Sequence, residues 1–286
     1  MAVSAEVTFF HDSSFMVRVG RILLVFDYCI GKERPLPVET RLTERDMADT
    51  DKVLFFVTSG REDHFDPTVY TFNFDKLPIT YFVSDDIPIG NRGRRLHAGD
   101  TMKEGDVRVT AYRSTDVGVA LYVETGGINI FYAGDLNFWH WRDESTLREI
   151  IDAEKDFYAA TEPLEELPID IAMFPVDPRQ GGMFDAGVNY FIMSVKPRVL
   201  FPMHFLDKAD AISDFSRRAR TRYTEVTALT RAREKAVITF DGPRLSMQVI
   251  SPAEMFYARQ HSTEVDLDAL SKQDPFSDTD LPVDLN

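Results

Sequence analysis

Four side chains that can bind a metal ion follow apolar, strand-like segments of this sequence. They are Asp63 with His64 after the run 53–57, Asp135 after the run 128–132, and His204 after the run 199–202. In α/β proteins, ligands and metals collect at the C-terminal ends of strands, because each strand holds the start of a functional loop rigidly. Two carboxylates and two imidazoles suit Zn, Fe or Mn. We therefore expect these four residues to share one metal site, although Asp and His at strand ends also cap turns without any further role.

The composition and charge of the chain restrict what it can bind. With 286 residues, of which 44% are hydrophobic, it can bury a large core as one domain or two. The formal net charge of -15 opposes binding to nucleic-acid phosphates. No apolar run reaches the roughly 18 to 20 residues that span a bilayer, and the N-terminus lacks a signal-peptide pattern. The single cysteine, Cys29, excludes an internal disulfide and suits a reducing compartment. We expect a cytoplasmic protein that binds a small-molecule substrate, with no nucleic acid or membrane partner.

Short apolar runs bounded by Gly, Asp, Ser or Pro predict the strands that position these side chains. In the first half of the chain the predicted strands are 7–10, 15–19, 22–26, 53–57, 79–83, 107–112, 119–124 and 128–132. Helical periodicity predicts helices at 144–160, 186–195, 207–218 and 224–234, and further strands are predicted at 169–176, 199–202, 236–240 and 245–249. This order predicts an α/β fold, a sandwich of two sheets flanked by helices.

The composition changes near residue 261. The segment 261–286 is acidic and has few large apolar side chains, so burial cannot offset the entropy that is lost when it is ordered. We expect residues 1–260 to form a single domain and residues 261–286 to form a mobile tail. The alternative is a strap that docks on a neighbour, and a homo-oligomer is left open.

Six segments, taken in order, carry a resemblance to a known family. They are Phe10-His11-Asp12-Ser13-Ser14-Phe15, Val25-Phe26-Asp27-Tyr28, Ser59-Gly60-Arg61-Glu62-Asp63-His64, Ser114-Thr115-Asp116-Val117-Gly118-Val119, Gly134-Asp135-Leu136-Asn137 and Pro202-Met203-His204-Phe205. The chain resembles the metallo-β-lactamase superfamily, and within it the lactonase-like branch of metallo-hydrolases. The resemblance implies an αββα sandwich of two mixed sheets flanked by helices, with a metal site at one edge between the sheets. It also implies that Asp63, His64, Asp135 and His204 are the ligands of the family's second metal.

Two residues depart from the family pattern. In the family's HxHxDH motif the first two histidines hold the first metal, together with a ligand from the loop that here contains Asp116, but this chain has Ser59 and Arg61 at those positions. Serine is a poor zinc ligand, and a guanidinium stays protonated and has no acceptor with which to coordinate. The first metal should therefore be absent. We expect Arg61 to replace its charge through a fork-like pair with Asp116 or Asp135, and the alternative is an exposed loop arginine.

Several further residues could line a substrate pocket or support the ligands. Trp139 and His140 belong to an aromatic cluster directly after Asp135, and such a cluster either binds an apolar substrate or packs in the core. Arg179 could hold a substrate carboxylate or phosphate, or it could buttress its loop through a salt bridge. His11 could orient a neighbouring ligand, as metal sites commonly require.

Two functional hypotheses follow. The resemblance implies a hydrolase in which water activated by a metal attacks a small ester, lactone, amide or phosphoester. Asp63 would then be a ligand and base, Arg61 would polarise a carbonyl or hold an anion, and the cofactor would be one divalent metal, Zn or else Fe or Mn. The second hypothesis is a catalytically degenerate, metal-free member that serves as a binding or scaffold protein, in which the four residues persist as a hydrogen-bonded network.

Overall fold

The computed structural model describes residues 2–31, 35–72, 77–88, 92–141 and 143–254. The predicted tail at 261–286 lies outside these residues. None of the helices in the described ranges is both long and apolar enough to cross a membrane.

The described part contains fifteen strands and three α-helices. In chain order these are β1 (Val3–His11), β2 (Ser14–Val19), β3 (Ile22–Phe26), β4 (Lys52–Val57), β5 (Ile79–Ser84), β6 (Arg94–Leu96), β7 (Thr101–Glu104), β8 (Val107–Arg113), β9 (Val119–Thr125), β10 (Ile128–Tyr132), α1 (Leu147–Thr161), β11 (Ile171–Pro175), α2 (Ala186–Ser194), β12 (Val199–Met203), α3 (Ala209–Ala219), β13 (Glu225–Val226), β14 (Lys235–Asp241) and β15 (Arg244–Ile250). Short 3-10 turns occupy parts of the connections.

The strands form two mixed sheets. The first has the order β15-β14-β1-β2-β3-β4-β5-β6 and the second has the order β13-β12-β11-β10-β9-β8-β7. Strands β3 to β6 run parallel to one another, and so do strands β10 to β13. Parallel neighbours bring their carboxyl ends to one edge of a sheet, so the loops after these strands lie close together.

Aromatic side chains join the two sheets in the core. The ring of Phe26 stacks on Phe56 of the same sheet and on Tyr132 of the other, with 4.8 Å between ring centroids in both pairs. Strand β4 is buried on both of its faces, because Val53 and Phe55 pack beneath the segment that follows β3 while Phe56 faces the second sheet. A strand that is buried on both faces needs a continuous apolar run, which is why the sequence 53–57 shows no alternation.

The predicted helix at 224–234 is wrong. Residues 225–226 instead form the edge strand β13, in which Glu225 pairs with Val199 and Val226 pairs with Leu200. The segment is rich in β-branched side chains, which favour strands over helices, and Thr224 and Leu229 are buried against the sheet. The predicted helix at 144–160 begins only at Leu147, because Thr146 caps it and exchanges hydrogen bonds with Glu149. The short strands β6 and β7 were not predicted.

Candidate metal centre

The candidate ligands meet at the edge where the parallel strands end. Asp63 and His64 follow β4, Asp135 follows β10, and His204 follows β12. One ligand atom from each of Asp63, His64 and His204 lies within 4.8 Å of the other two. These three residues therefore form a group that could hold a metal ion.

Asp135 completes the group from the second sheet. Its Oδ1 lies 3.0 Å from His64 Nε2 and 3.6 Å from His204 Nε2, and His204 Nε2 lies 3.6 Å from Asp63 Oδ2. Nitrogen and oxygen ligands at 2.0 to 2.1 Å from a tetrahedral zinc ion are about 3.3 Å apart. These three separations bracket that value.

Unsatisfied polar atoms at the centre of the group also fit a metal. His64 Nε2 and both carboxylate oxygens of Asp135 are buried and have no hydrogen-bond partner among the described residues. His64 Nε2 and Asp135 Oδ1 are 3.0 Å apart but lack the alignment of a hydrogen bond. Buried polar atoms without partners are costly, and a shared divalent cation would satisfy His64 Nε2 and Asp135 Oδ1. The residues present therefore fit the metal that the sequence predicted.

A buried carboxylate orients His64. Asp27 is fully buried at the end of β3, and its Oδ2 lies 2.6 Å from His64 Nδ1. The same carboxylate accepts hydrogen bonds from the backbone N–H of Thr58 at 2.7 Å and from the hydroxyl of Tyr132 at 2.9 Å. Because Asp27 only accepts, Nδ1 of His64 carries the proton. Nε2 is then the ring atom left to face the site, the arrangement that commonly supports metal-binding histidines.

His204 is oriented in the same way. Its Nδ1 lies 3.2 Å from Asp177 Oδ2, and Asp177 follows β11 at the same sheet edge. Arg179 holds Asp177 through its Nε, 2.9 Å from both carboxylate oxygens, and through its Nη2. The indole of Trp139 packs edge-on against the His204 ring, and the His204 backbone has a φ of 63°. A left-handed histidine is uncommon, and strain of this kind concentrates at functional sites.

The charges of the group shift its pKa values in opposite directions. Burial alone would lower the pKa of His204, but the hydrogen bond to Asp177 and the nearby carboxylates of Asp63, Asp12 and Asp135 raise it to about 10. Burial likewise opposes charging of His64, yet Asp135 and Asp27 hold the pKa of that imidazole well above 6.5. The pKa of Asp63 is lowered, because the nearby imidazoles of His204 and His64 outweigh its burial. Without a metal, protons on the two histidines balance the carboxylates.

Arg61 lies on the opposite side of the carboxylates from the histidines. Its Nη1 donates to Asp116 Oδ2 at 3.0 Å, and its Nε lies 3.6 Å from Asp63 Oδ1 and 3.7 Å from Asp135 Oδ2. The predicted contact with Asp116 is therefore present, as a single hydrogen bond and not as a fork. Asp63 and Asp135 each direct one oxygen to the histidines and the other to Arg61.

Gly118 lets the Asp116 loop approach Arg61. Its φ is +94°, and a Cβ at this position would lie 2.0 Å from the backbone oxygen of Thr58. The neighbouring Val119 N–H donates to that same oxygen at 2.9 Å. The loop thus rests directly on the segment that follows β4, in which Arg61 also lies.

Of the other residues predicted to line or support the site, some border it and others pack elsewhere. Trp139 borders the site and donates from Nε1 to the backbone oxygen of Asp135 at 2.7 Å. His140 is buried and stacks on Phe138 with 4.2 Å between ring centroids, so its observed contacts are those of core packing. Arg179 buttresses its loop through Asp177, the second of the two roles foreseen for it. His11 is half-buried and lines a cavity that also reaches Asp63.

Sequence reasoning did not assign the two orienting carboxylates. Asp27 and Asp177, not His11, are bonded to the ligand histidines. Both directly follow apolar strand-like segments, which is the signal that identified the ligands themselves. Applied to every such segment, that signal would have found them.

Comparison with known proteins identifies the fold. No protein-family model and no curated protein matches the sequence. Among solved structures, the chain is similar to Igni18, a metallo hydrolase from Ignicoccus hospitalis, with 17% identity, a TM-score of 0.58 and coverage of 83% of this chain and 99% of that one. It is similar to the metallo-β-lactamase fold protein YhfI from Bacillus subtilis, with 10% identity, a TM-score of 0.55 and coverage of 83% and 99%. It is also similar to CmlA, a diiron β-hydroxylase from Streptomyces venezuelae, with 10% identity, a TM-score of 0.55 and coverage of 81% and 53%.

Structural similarity at sequence identities of 10% to 17% establishes the fold and nothing further. Two mixed sheets flanked by helices, as implied by the sequence resemblance, are confirmed. A hydrolase and a hydroxylase share this architecture, so the reaction must be argued from the site and not from the fold.

Proposed function

Because this chain has the metallo-β-lactamase fold, we propose that it is a metal-dependent hydrolase of a small ester, lactone, amide or phosphoester. One divalent metal is held by Asp63, His64, Asp135 and His204. The observation that supports this most strongly is the pair of buried histidines, each fastened through Nδ1 to a buried carboxylate and each directing Nε2 to the same point. The unsatisfied Oδ1 of Asp135 faces that point as well.

The donor set favours zinc, with iron and manganese as alternatives, since imidazole and carboxylate ligands suit all three. A bound ion of this kind lowers the pKa of water towards neutrality and polarises carbonyl or phosphoryl groups. The protein's own contribution is to fix the ligands in place. Asp27 and Asp177 hold the two imidazoles in one tautomer and one orientation. The strands β4 and β10 position the ligand carboxylates Asp63 and Asp135, which follow them.

Asp63 and Arg61 are the residues proposed to act on the substrate. The Asp63 side chain is 36% exposed, whereas that of Asp135 is 1% exposed, so Asp63 is the ligand that a substrate or attacking water can reach. Its Oδ1 faces Arg61 and can take a proton from water. The Arg61 guanidinium is 47% exposed and can donate to the carbonyl oxygen of a substrate while it remains bonded to Asp116.

Arg61 also supports a site for one metal and not two. Asp63 and Asp135 each have one oxygen directed away from the histidines, and the Arg61 guanidinium lies beside both of these oxygens. Its positive charge offsets the repulsion among Asp63, Asp116 and Asp135 that a missing cation would leave. The guanidinium thereby replaces the charge of the first metal.

One observation favours the alternative of a metal-free binding or scaffold protein. The raised pKa values of His64 and His204 mean that the group can neutralise itself with protons, without a metal. In that case the four residues are a structural network, and removing one of them destabilises the fold by leaving buried partners unpaired.

Hydrolysis by metal-stripped and metal-reloaded protein tests the proposed function. Protein treated with a chelator and dialysed should not hydrolyse 4-nitrophenyl acetate above background, and addition of Zn²⁺, Mn²⁺ or Fe²⁺ should restore hydrolysis. His204→Ala should remain inactive under every condition, while the exposed Asp106→Asn serves as a matched acidic control that behaves like the wild type. Equal activity before and after stripping, or no activity with any of the three metals, would contradict the proposal.

A further inference from the structure

The segment that carries the ligand His204 has an unusual backbone. His204 has a φ of 63° and Leu206 has a φ of 50°, so two of three consecutive residues lie in the left-handed region although neither is a glycine. This conformation brings Cβ close to a carbonyl oxygen and costs free energy in any residue that has a Cβ. Leu206 is 44% exposed, so its own burial does little to offset this cost. Other contacts must therefore hold the segment 204–206 in place.

Each residue of this segment is attached to the end of strand β1. The His204 N–H donates to the backbone oxygen of Asp12 at 3.2 Å, and the Leu206 N–H donates to Asp12 Oδ1, also at 3.2 Å. Between them, the ring of Phe205 stacks on Phe9 of β1 with 5.6 Å between ring centroids. Phe9, Asp12 and Phe205 are buried, so these contacts are shielded from water. Asp12 alone accepts both of the backbone hydrogen bonds.

Asp12 joins the two sheets at this point. It directly follows β1 of the first sheet, whereas His204 directly follows β12 of the second. The pairing of β1 with β2 shifts register between Phe9 and His11, and such bulges bend a strand and often lie next to active sites. Asp12 itself has a φ of 46°, a conformation that aspartate adopts more readily than most residues. The turn after β1 therefore presents a carboxylate of one sheet to the ligand segment of the other.

We propose that Asp12 is a positioning residue for the metal centre, which holds the backbone of 204–206 so that the His204 ring projects into the site. Asp177 fixes that ring through Nδ1, whereas Asp12 fixes the main chain from which the ring extends. Without the bond to Asp12 Oδ1, Leu206 can leave the left-handed region, and the chain beyond His204 then changes direction. The inference rests on the proposed function, since it assumes that His204 binds the metal.

Substitutions at position 12 separate the hydrogen bond from the charge. Asp12→Gly removes the carboxylate and adopts a positive φ readily, whereas Asp12→Asn removes the charge but keeps an oxygen acceptor. Asp49 is an exposed aspartate with a φ of 59° in the connection between β3 and β4, so Asp49→Gly is the matched control. Zinc affinity is measured by titrating metal-stripped protein in competition with a chromophoric chelator. Urea unfolding in the presence of EDTA measures the stability of each metal-free variant.

Asp12→Gly should lower the zinc affinity at least about tenfold, which is the lower end of the loss that is typical for residues supporting metal ligands. Asp12→Asn and Asp49→Gly should stay within about threefold of the wild type. An affinity of Asp12→Gly in that same range would overturn the proposal. An Asp12→Asn affinity as low as that of Asp12→Gly would also overturn it, because the charge and not the hydrogen bond would then explain the effect.

A second substitution tests the proposed cause. Glycine adopts the left-handed conformation without strain, so Leu206→Gly should make the segment less dependent on Asp12. In the Leu206→Gly background, Asp12→Gly should therefore lower the zinc affinity by less than about threefold, compared with at least about tenfold in the wild type. Equal losses in the two backgrounds would refute the role of Asp12 in holding the backbone.

Amide exchange of the metal-free protein, measured by NMR, separates this inference from the proposed function. The Leu206 N–H should exchange at least about tenfold faster in Asp12→Gly than in Asp12→Asn or the wild type. A wild type that binds no zinc but shows this pattern would reject the proposed function, and Asp12 would then anchor the segment without a metal to serve. Zinc binding by the wild type with equal Leu206 exchange in both variants would retain the proposed function and reject the anchoring.

The wild type decides the question if Asp12→Gly does not fold. Its Leu206 N–H should then exchange at least about a hundredfold more slowly than an unprotected peptide N–H. Exchange at the unprotected rate would overturn the proposal.

Discussion

Replacement of Asp27 by asparagine should weaken metal binding without removing a ligand. Asp27 Oδ1 accepts from the Thr58 N–H, and its Oδ2 faces His64 Nδ1 and the Tyr132 hydroxyl. An asparagine can keep the first of these bonds only by turning its NH₂ group towards His64. Because two N–H groups cannot bond to each other, the proton of His64 must then move to Nε2, the atom that faces the metal site.

The expected size of the effect follows from this change of tautomer. Loss of a carboxylate that orients a metal-binding histidine typically lowers metal affinity by about 10-fold to 100-fold, which corresponds to about 1.4 to 2.7 kcal/mol. The metal-free protein should also lose about 1.5 to 3 kcal/mol of stability, because a hydrogen bond to a buried charge is lost.

Metal affinity is measured by titrating Zn²⁺ into metal-stripped protein in competition with a chromophoric chelator at constant pH. Unfolding by urea in the presence of EDTA separately measures the loss of stability of the metal-free protein. Asp106→Asn removes the same charge from an exposed position and is the matched control. Zinc affinity of Asp27→Asn within about twofold of both the wild type and Asp106→Asn would refute the role assigned to Asp27.

Three further predictions concern charge, protons and backbone geometry. Arg61→Met should destabilise the metal-free protein by about 1 kcal/mol, measured by urea unfolding, because three carboxylates lose their shared partner. Arg113→Met, which removes an exposed ion pair with Asp156, should have a smaller effect, and equal effects would contradict the prediction. Below about pH 10 the apparent zinc affinity should fall by at least about tenfold per pH unit, since His204 and His64 must each lose a proton to bind the metal. The stability that the His204 proton gives the metal-free protein is complete below pH 6.5 and is lost as the pH rises through about 10. Calorimetric titration that shows no proton release at pH 7 would rule this out. Gly118→Ala should lower the free energy of unfolding by at least about 3 kcal/mol, because its Cβ would meet a backbone oxygen. Gly20→Ala, also at positive φ but with nothing within 4 Å of its Cβ, should lower it by only about 1 kcal/mol. Similar losses in the two variants, measured by urea unfolding, would count against the close approach of the loop.

Much of the fold could be predicted because its signals are local. The apolar runs that predict β3, β4, β10 and β12 are buried strands in the structure, and their order is sufficient to predict two sheets. The segment 224–234 was predicted wrongly because a spacing of apolar residues that suits a helix also occurs in an irregular chain segment. There the burial of Leu229 and the pairing of β13 with the sheet edge determine the conformation.

The site could be predicted as a set of residues but not as a network. Strand ends identify Asp63, His64, Asp135 and His204, since parallel strands deliver their loops to one edge. Which nitrogen of each histidine faces the site depends on Asp27 and Asp177, which are 37 and 27 residues away from their partners in sequence. The position of Arg61 likewise depends on its contact with Asp116, which is 55 residues away in sequence. The motif predicts that a positive charge is needed near the carboxylates, but it does not specify which of them Arg61 contacts.

The metal content of the purified protein tests the central claim most directly. The wild type and His204→Ala are purified without chelator and analysed by inductively coupled plasma mass spectrometry. A single site predicts about one divalent metal ion per chain in the wild type and close to none in His204→Ala. A wild-type ratio near zero, with no increase in Tm when Zn²⁺, Mn²⁺ or Fe²⁺ is added, would contradict the account. A ratio near two would show that Arg61 does not replace the first metal.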